Sequence, residues 1–239
     1  MHPRKPPNER STVTRTLREA DHPAHGQHLP IQARAHKTRA AILSAAASQF
    51  DVLGYAETSI STIIGAGGIT KGAIYFHFTS KEAIALQLID DWNHTVSETI
   101  STARILGSES VKKSPILSSE STKLGQLTAI FASLADQVTT DPSLRAGMKL
   151  TLEPSIDDDH AFSRWVGDIH SLVEEAIAAG ELGNHPAVNR LAWNLCTGTV
   201  GAAHAHTTTP QNISLATRID DTVAAHLIAA QRQSVRETR

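Results

Sequence analysis

The sequence holds little from which to build a secreted, membrane-spanning or β-rich protein. Its one cysteine, Cys196, permits no intrachain disulfide, which fits a reducing cytoplasm. No run of about 18 apolar residues occurs, so no membrane-spanning helix is expected. The basic opening MHPRKPPNER is followed by no continuous apolar segment of the kind an export signal needs. Strand signals are few, whereas Ala, Leu, Ile, Glu and Gln dominate after residue 35, and an all-α protein is expected.

Catalytic and cofactor signatures are also missing. His204 and His206 are two apart on an expected helix and face different sides, Cys196 has no basic neighbour in sequence, and no G-x-S-x-G is present. The segment Gly-Ile-Thr-Lys-Gly lacks the G-x-x-x-x-G-K-[ST] spacing and the preceding strand of a phosphate-binding loop. His22, His25 and His28 are separated by Pro23 and Gly26, so no helix would gather them onto a metal. The acids Asp157, Asp158 and Asp159 ahead of His160 read as helix-capping groups. No enzyme, cofactor or metal site is expected.

Formal net charge is only −2, but it is unevenly spread. Of 22 Lys and Arg and 24 Asp and Glu, residues 1–82 hold ten and six, leaving 12 and 18 for the remainder. A basic head on an acidic body suits a chain that offers one end to a polyanion. Residues 1–33 contain Pro3, Pro6, Pro7, Pro23, Gly26 and Pro30 and almost no apolar periodicity, as expected of a disordered arm. Its Arg4, Lys5, Arg10, Arg15 and Arg18 would add nonspecific attraction to phosphate.

From His36 to Leu53 the apolar residues Ile42, Leu43, Ala46, Phe50 and Leu53 recur at helical spacing, and Gly54 supplies a stop. Arg34, Lys37 and Arg39 at its expected start have the wrong sign for a helix N-terminus, and a nearby phosphate would explain them. In Thr58–Glu82, Thr58 or Ser59 can cap a short helix with Ile60, Ile63 and Ile64 inward. Gly67 and Gly68 end it, Ile69 plugs the turn, Thr70 caps a second helix, and Ile74 and Phe78 anchor it. This is the grammar of a helix-turn-helix. On the second helix Thr70, Lys71, Gly72 and Ala73 would approach base edges, while Tyr75, His77 and Lys81 would meet phosphates.

Residues 36–89 resemble the DNA-binding domain of the tetracycline-repressor (TetR) family, and ITKGAIYFHFTSKEAI is similar to its turn, recognition helix and start of the fourth helix. KGAIYFHF is nearer still to the γ-butyrolactone receptors of antibiotic-producing actinomycetes. Two features depart from the pattern: Ile64 stands where most of the family has alanine, and Gly65 and Gly67 weaken the first helix by about 1 kcal/mol each. The resemblance implies an all-α, TetR-like fold. Residues 34–80 would form a three-helix DNA-binding head, and residues 81–239 a ligand-binding and dimerisation body.

In that body a long helix should run from Ser80 to about Ala103 on the stripe Ile84, Leu88, Trp92, Val96 and Ile100, followed by a Ser-rich loop over 107–121. Helices are expected over Leu124–Thr139, from Asp141-Pro142, along Phe162–Ile177, over Ala187–His206 and over Leu215–Gln231. By periodicity Trp165 reads as core. The segment LRAGMKLTLE, an acidic loop and AFSRW resemble the γ-butyrolactone receptor pattern, which implies that Trp165 packs on a ligand ring. Thr151 and Trp92 are then candidate pocket partners. The apolar stripes of the last two helices suggest a homodimer, and the family pattern implies a four-helix bundle from that pair. The expected partners are operator DNA, a small effector and a second copy. A regulator that activates, answers another ligand or has lost ligand binding fits the same residues.

Overall fold

A computed structural model of the chain describes residues 28–113, 122–209 and 212–237. They form α1 (His28–Leu53), α2 (Ile60–Gly67), α3 (Lys71–His77), α4 (Lys81–Lys113) and α5 (Lys123–Thr140). There follow α6 (Pro142–Leu150), α7 (Ala161–Ala178), α8 (Pro186–Asn189), α9 (Leu191–Thr208) and α10 (Leu215–Glu237), with no strand among the described residues. The chain divides into two units, Met1–His36 and Lys37–Arg239. Of the first, only the opening of α1 is described, and the expected arm up to residue 27 lies outside the described residues. The second unit holds both cores and all of α2 to α10.

Several boundaries differ from expectation: the helix expected over Ala187–His206 is interrupted at Arg190 into α8 and α9, α10 runs on to Glu237, and α1 and α4 are both longer. The first helix begins at His28 rather than His36. Pro30 is tolerated in its first turn because N–H groups there have no intrahelical partner anyway. Lys37 and Arg39 therefore lie well inside α1, and neither is a misplaced cation at a helix start. Helix α4 runs on to Lys113, so the first half of the expected serine-rich loop is helical. Its 33 residues give a rod of about 50 Å at 1.5 Å per residue. Residues 114–121 lie outside the described residues.

The helix ends follow the local chemistry. Ser59 caps α2 by accepting from the Thr62 amide, and the Thr62 hydroxyl accepts from the Ser59 amide at 2.9 Å, a reciprocal box. Thr70 caps α3 through the Ala73 amide at 3.2 Å. Asp141 caps α6 with Pro142 as its first residue. Ahead of α7, Asp158 accepts from the Ala161 amide and Asp159 pairs with Arg164 at 2.8 Å, so these acids serve the helix start.

Apolar side chains gather into two cores. The first contains Ile42, Phe50, Ile63, Ile74, Phe78, Ile84 and Leu88, and it is closed by Ala146, Leu150, Ile156 and Ala161. The second is larger and holds Trp92, Phe131, Met148, Trp165, Leu195 and Ile219. Helix α6 contributes to both, with Ala146 and Leu150 in one and Met148 in the other. It also lies tightly against α4: a Cβ on Gly147 would overlap the backbone carbonyl of Leu88. Glycine at 147 is what permits this crossing.

Candidate nucleic-acid interface and effector pocket

The α2–turn–α3 unit is built on its buried side and open on the other. Ile63 and Ile74 are wholly buried, and Phe78 nearly so. Gly68 takes a left-handed conformation, φ 59°, at the C-cap of α2. Gly67 has a different use: a Cβ there would press on Ile69 and come within 2.9 Å of the Ala45 methyl, so the turn can seat against α1 only with glycine. The cost in helix propensity at Gly67 is repaid by packing, whereas nothing crowds Gly65.

On the open side, Thr70, Lys71 and Gly72 are exposed, Ala73 is half-buried, and Tyr75 is 50% exposed. The Lys71 ammonium lies 6.0 Å from the Tyr75 ring centroid. The cation and the phenol thus share one face of α3. A further outward residue that the sequence reading did not single out is Phe76, 80% exposed, with its ring set edge-on to His77 at 5.0 Å. With Tyr75 beside it, Phe76 leaves two neighbouring rings in solvent on a seven-residue helix, an apolar surface available to a partner. The signal is present in the string KGAIYFHF, since Ile74 and Phe78 are four apart and leave Phe76 on the opposite face.

The remaining candidates divide, with Thr58 and Lys81 engaged by the fold and Ser59, Lys37 and Arg34 exposed. Thr58 is 2% exposed and donates to the Gly54 carbonyl at 2.8 Å, so its hydroxyl closes the α1–α2 turn instead of facing outward. Lys81 donates to the Tyr55 carbonyl at 2.8 Å and sits 3.9 Å from the centre of the Tyr55 ring, which ties the start of α4 to the end of α1. Ser59 is exposed, but its hydroxyl is engaged in the capping box. Arg39 stacks on Phe78 and donates to Gln87 at 2.6 Å, a role in holding α1 to α4. Lys37 is exposed on α1, and Arg34 is exposed further toward its start. His77 is half-buried.

In the body, the two tryptophans singled out from sequence meet. Trp92 and Trp165 pack edge to face at 5.1 Å, with Phe162 at 6.0 Å and Phe131 at 6.4 Å from Trp165. Both indoles are buried, yet neither N–H finds an acceptor within the protein. A buried donor without a partner costs about 1–3 kcal/mol. Trp165 also borders a cleft of about 270 Å³ between α4 and α7, lined by Asn93, Val96, Ser97 and Asp168 among others. Thr151 is placed differently: it caps α6, and its hydroxyl donates to the Met148 carbonyl at 2.8 Å. The Cys196 thiol is buried, and burial pushes its pKa well up, so it is a packing residue without nucleophilic character.

The stripe Leu215, Ile219, Val223 and Leu227 of α10, expected to face a second copy, is consumed within the chain's own core. Spacing alone does not distinguish a stripe facing the same chain from one facing a partner. What α9 and α10 leave outside is Trp193, 53% exposed, Ile228, 47% exposed, and the small residues Gly201, Ala205 and Ala224.

Known proteins resemble the chain along the same division. Residues 42–88 match the family described as bacterial regulatory proteins, tetR family. The A-factor receptor protein of Streptomyces griseus is 52% identical over 65 residues, covering 27% of this chain and 24% of that receptor's own length. The crystal structure of full-length native TylP, a TetR regulator from Streptomyces fradiae, is 30% identical. It aligns over 84% of this chain and 82% of its own, with a TM-score of 0.52. A γ-butyrolactone receptor described as ArpA-like is 27% identical over 84% of this chain and 99% of its own, with a TM-score of 0.58.

Proposed function

Because the chain belongs to the TetR family of bacterial transcriptional regulators, a family of DNA-binding regulators and not of enzymes, we propose that it is a homodimeric repressor released from its operator by a γ-butyrolactone-like signal. The observation that carries the DNA-reading part is the exposed face of α3, where Lys71, Tyr75 and Phe76 stand outward on a helix whose other side is fully packed. Lys71 is placed to donate to guanine O6 or N7, and Gly72 and Ala73 let the backbone approach. Tyr75 offers a hydroxyl to phosphate, and Phe76 an apolar surface to a thymine methyl. Lys37 and the capped start of α2 add phosphate contacts, as does Arg34. Thr58 and Lys81 act behind this surface by holding its turns.

A seven-residue recognition helix reads only a few base pairs, so two copies about 34 Å apart on a near-palindrome supply the affinity. The surface left on α9 and α10, which includes the small residues Gly201 and Ala205, is the face through which the copies pair. For the signal, the likeness to γ-butyrolactone receptors supports a lactone or a related furan or butenolide. The unpartnered indole N–H of Trp165, whose side chain borders the α4–α7 cleft, supports its place, since a ring oxygen would satisfy it. Such a signal would control secondary metabolism.

The test is a gel shift on duplexes selected by the protein itself. Lys71→Ala and Tyr75→Phe should weaken binding while sedimentation still reports a dimer. Affinity should fall steeply with salt. An unchanged affinity in both variants contradicts the assignment of α3.

A further inference from the structure

The last turn of α1 contains a carboxylate where electrostatics disfavours one. Asp51 lies two residues from the C-terminus of α1, against the negative end of the helix dipole, and its side chain is only 5% exposed. Three donors from α6 answer it. Arg145 grips Oδ2 through Nε at 3.0 Å and Nη2 at 2.9 Å, and Lys149 reaches Oδ1 at 3.0 Å. Both cations are themselves anchored. Arg145 also donates to the Val138 carbonyl at 2.6 Å, and Lys149 to the Asp51 carbonyl at 2.7 Å and the Thr207 hydroxyl at 2.9 Å. One carboxylate thereby fastens the end of α1 to α5, α6 and α9.

Packing holds that end on one side only, where Phe50 enters the head core. Beside the cluster is a cavity of about 240 Å³ lined by Phe50, Tyr55, Lys149, Leu152 and His204, so α1 is not wedged by side chains on this side. A buried ion cluster is a poor source of net stability but a good source of register, because it is satisfied in only one geometry. Arg145 and Lys149 are one helical turn apart on α6. On the same helix Met148 enters the tryptophan core, Ala146 and Leu150 enter the head core, and Gly147 rests on α4. A shift or rotation of α6 of even about 1 Å would separate the fork from the carboxylate, since hydrogen bonds weaken steeply with distance and angle.

We infer that Asp51, Arg145 and Lys149 form a polar latch that fixes the orientation of the DNA-reading head on the body. This rests on the functional reading above only in taking the α2–turn–α3 unit as the DNA-reading head. The latch residues are positioning residues and touch neither DNA nor effector.

The experiment measures orientation directly in the full chain. Nitroxide labels are placed at Ser61→Cys on α2 and Ser171→Cys on α7, both exposed positions, while the buried Cys196 stays unlabelled. Labelled protein is diluted with unlabelled chain, and pulsed electron resonance reads the distance between the labels. The wild-type latch should give one narrow distribution. Asp51→Asn, and separately Arg145→Lys, which keeps the charge but loses the two-pronged grip, should each broaden it at least twofold or add a second distance. The double variant should go no further, because both changes open the same contact. If the variants melt earlier yet keep the single narrow distance, the cluster is only structural and the latch is overturned. Should Asp51→Asn fail to fold, Arg145→Lys decides the matter. Neither DNA nor effector enters the measurement, so a failure of operator or lactone binding would count against the proposed function and leave this result standing.

Discussion

Helices α3 and α7 carry the two halves of the proposed function in opposite ways. On α3 the informative side chains point outward: Lys71, Tyr75 and Phe76 are exposed, and only Ile74 is buried. On α7 the informative side chain points inward, with Trp165 1% exposed among Trp92, Phe131 and Phe162. A surface reader can be changed without disturbing the fold. A buried sensor cannot, because the groups that would recognise a ligand also close the core.

This contrast fixes the order of expected effects. Trp165→Ala should cost about 3–5 kcal/mol of stability in urea unfolding, since it empties the centre of the aromatic cluster. Little loss would mean that the body core does not depend on this ring. Gly147→Ala should cost about 1–3 kcal/mol by the same assay, because the added methyl meets the Leu88 backbone and forces α4 and α6 apart. For Lys71→Ala the loss belongs to binding: roughly tenfold or more in affinity for a selected duplex, from a lost base contact worth about 1–3 kcal/mol. Its melting temperature should match wild type, and a large drop would place Lys71 in the fold instead of on the groove. Thr70→Ala should be mildest, about 1 kcal/mol of stability for the lost cap on α3, visible as a small shift in urea midpoint.

The same contrast explains how much of the molecule is legible in its sequence. The α2–turn–α3 grammar is legible because caps, glycines and apolar anchors act within four residues of one another: Ser59, Gly68, Thr70, Ile74 and Phe78 all do in three dimensions what their spacing implies. Phe76 escapes a search for polar DNA-contacting types, although its position opposite Ile74 and Phe78 marks it as outward. The start of α1 is hidden because Pro30 reads as a breaker, while in a first turn it is harmless. The contacts of Asp51 with Arg145 and Lys149, 94 and 98 residues away, leave no local signal at all. Nor does sequence show that the α10 stripe is spent within the chain, since a stripe facing the same chain and one facing a second copy have the same period.

The claim on which the rest depends is that the face of α3 reads DNA in two symmetric copies. Selection of tight-binding duplexes from a random pool, using the full chain at physiological salt, tests it for any operator sequence. Enrichment of a near-palindrome whose half-sites are centred about one helical turn, or a multiple of it, apart is the expected result, with enrichment lost for Lys71→Ala. A pool that stays random with wild-type protein, or that is enriched equally by Lys71→Ala, would contradict it.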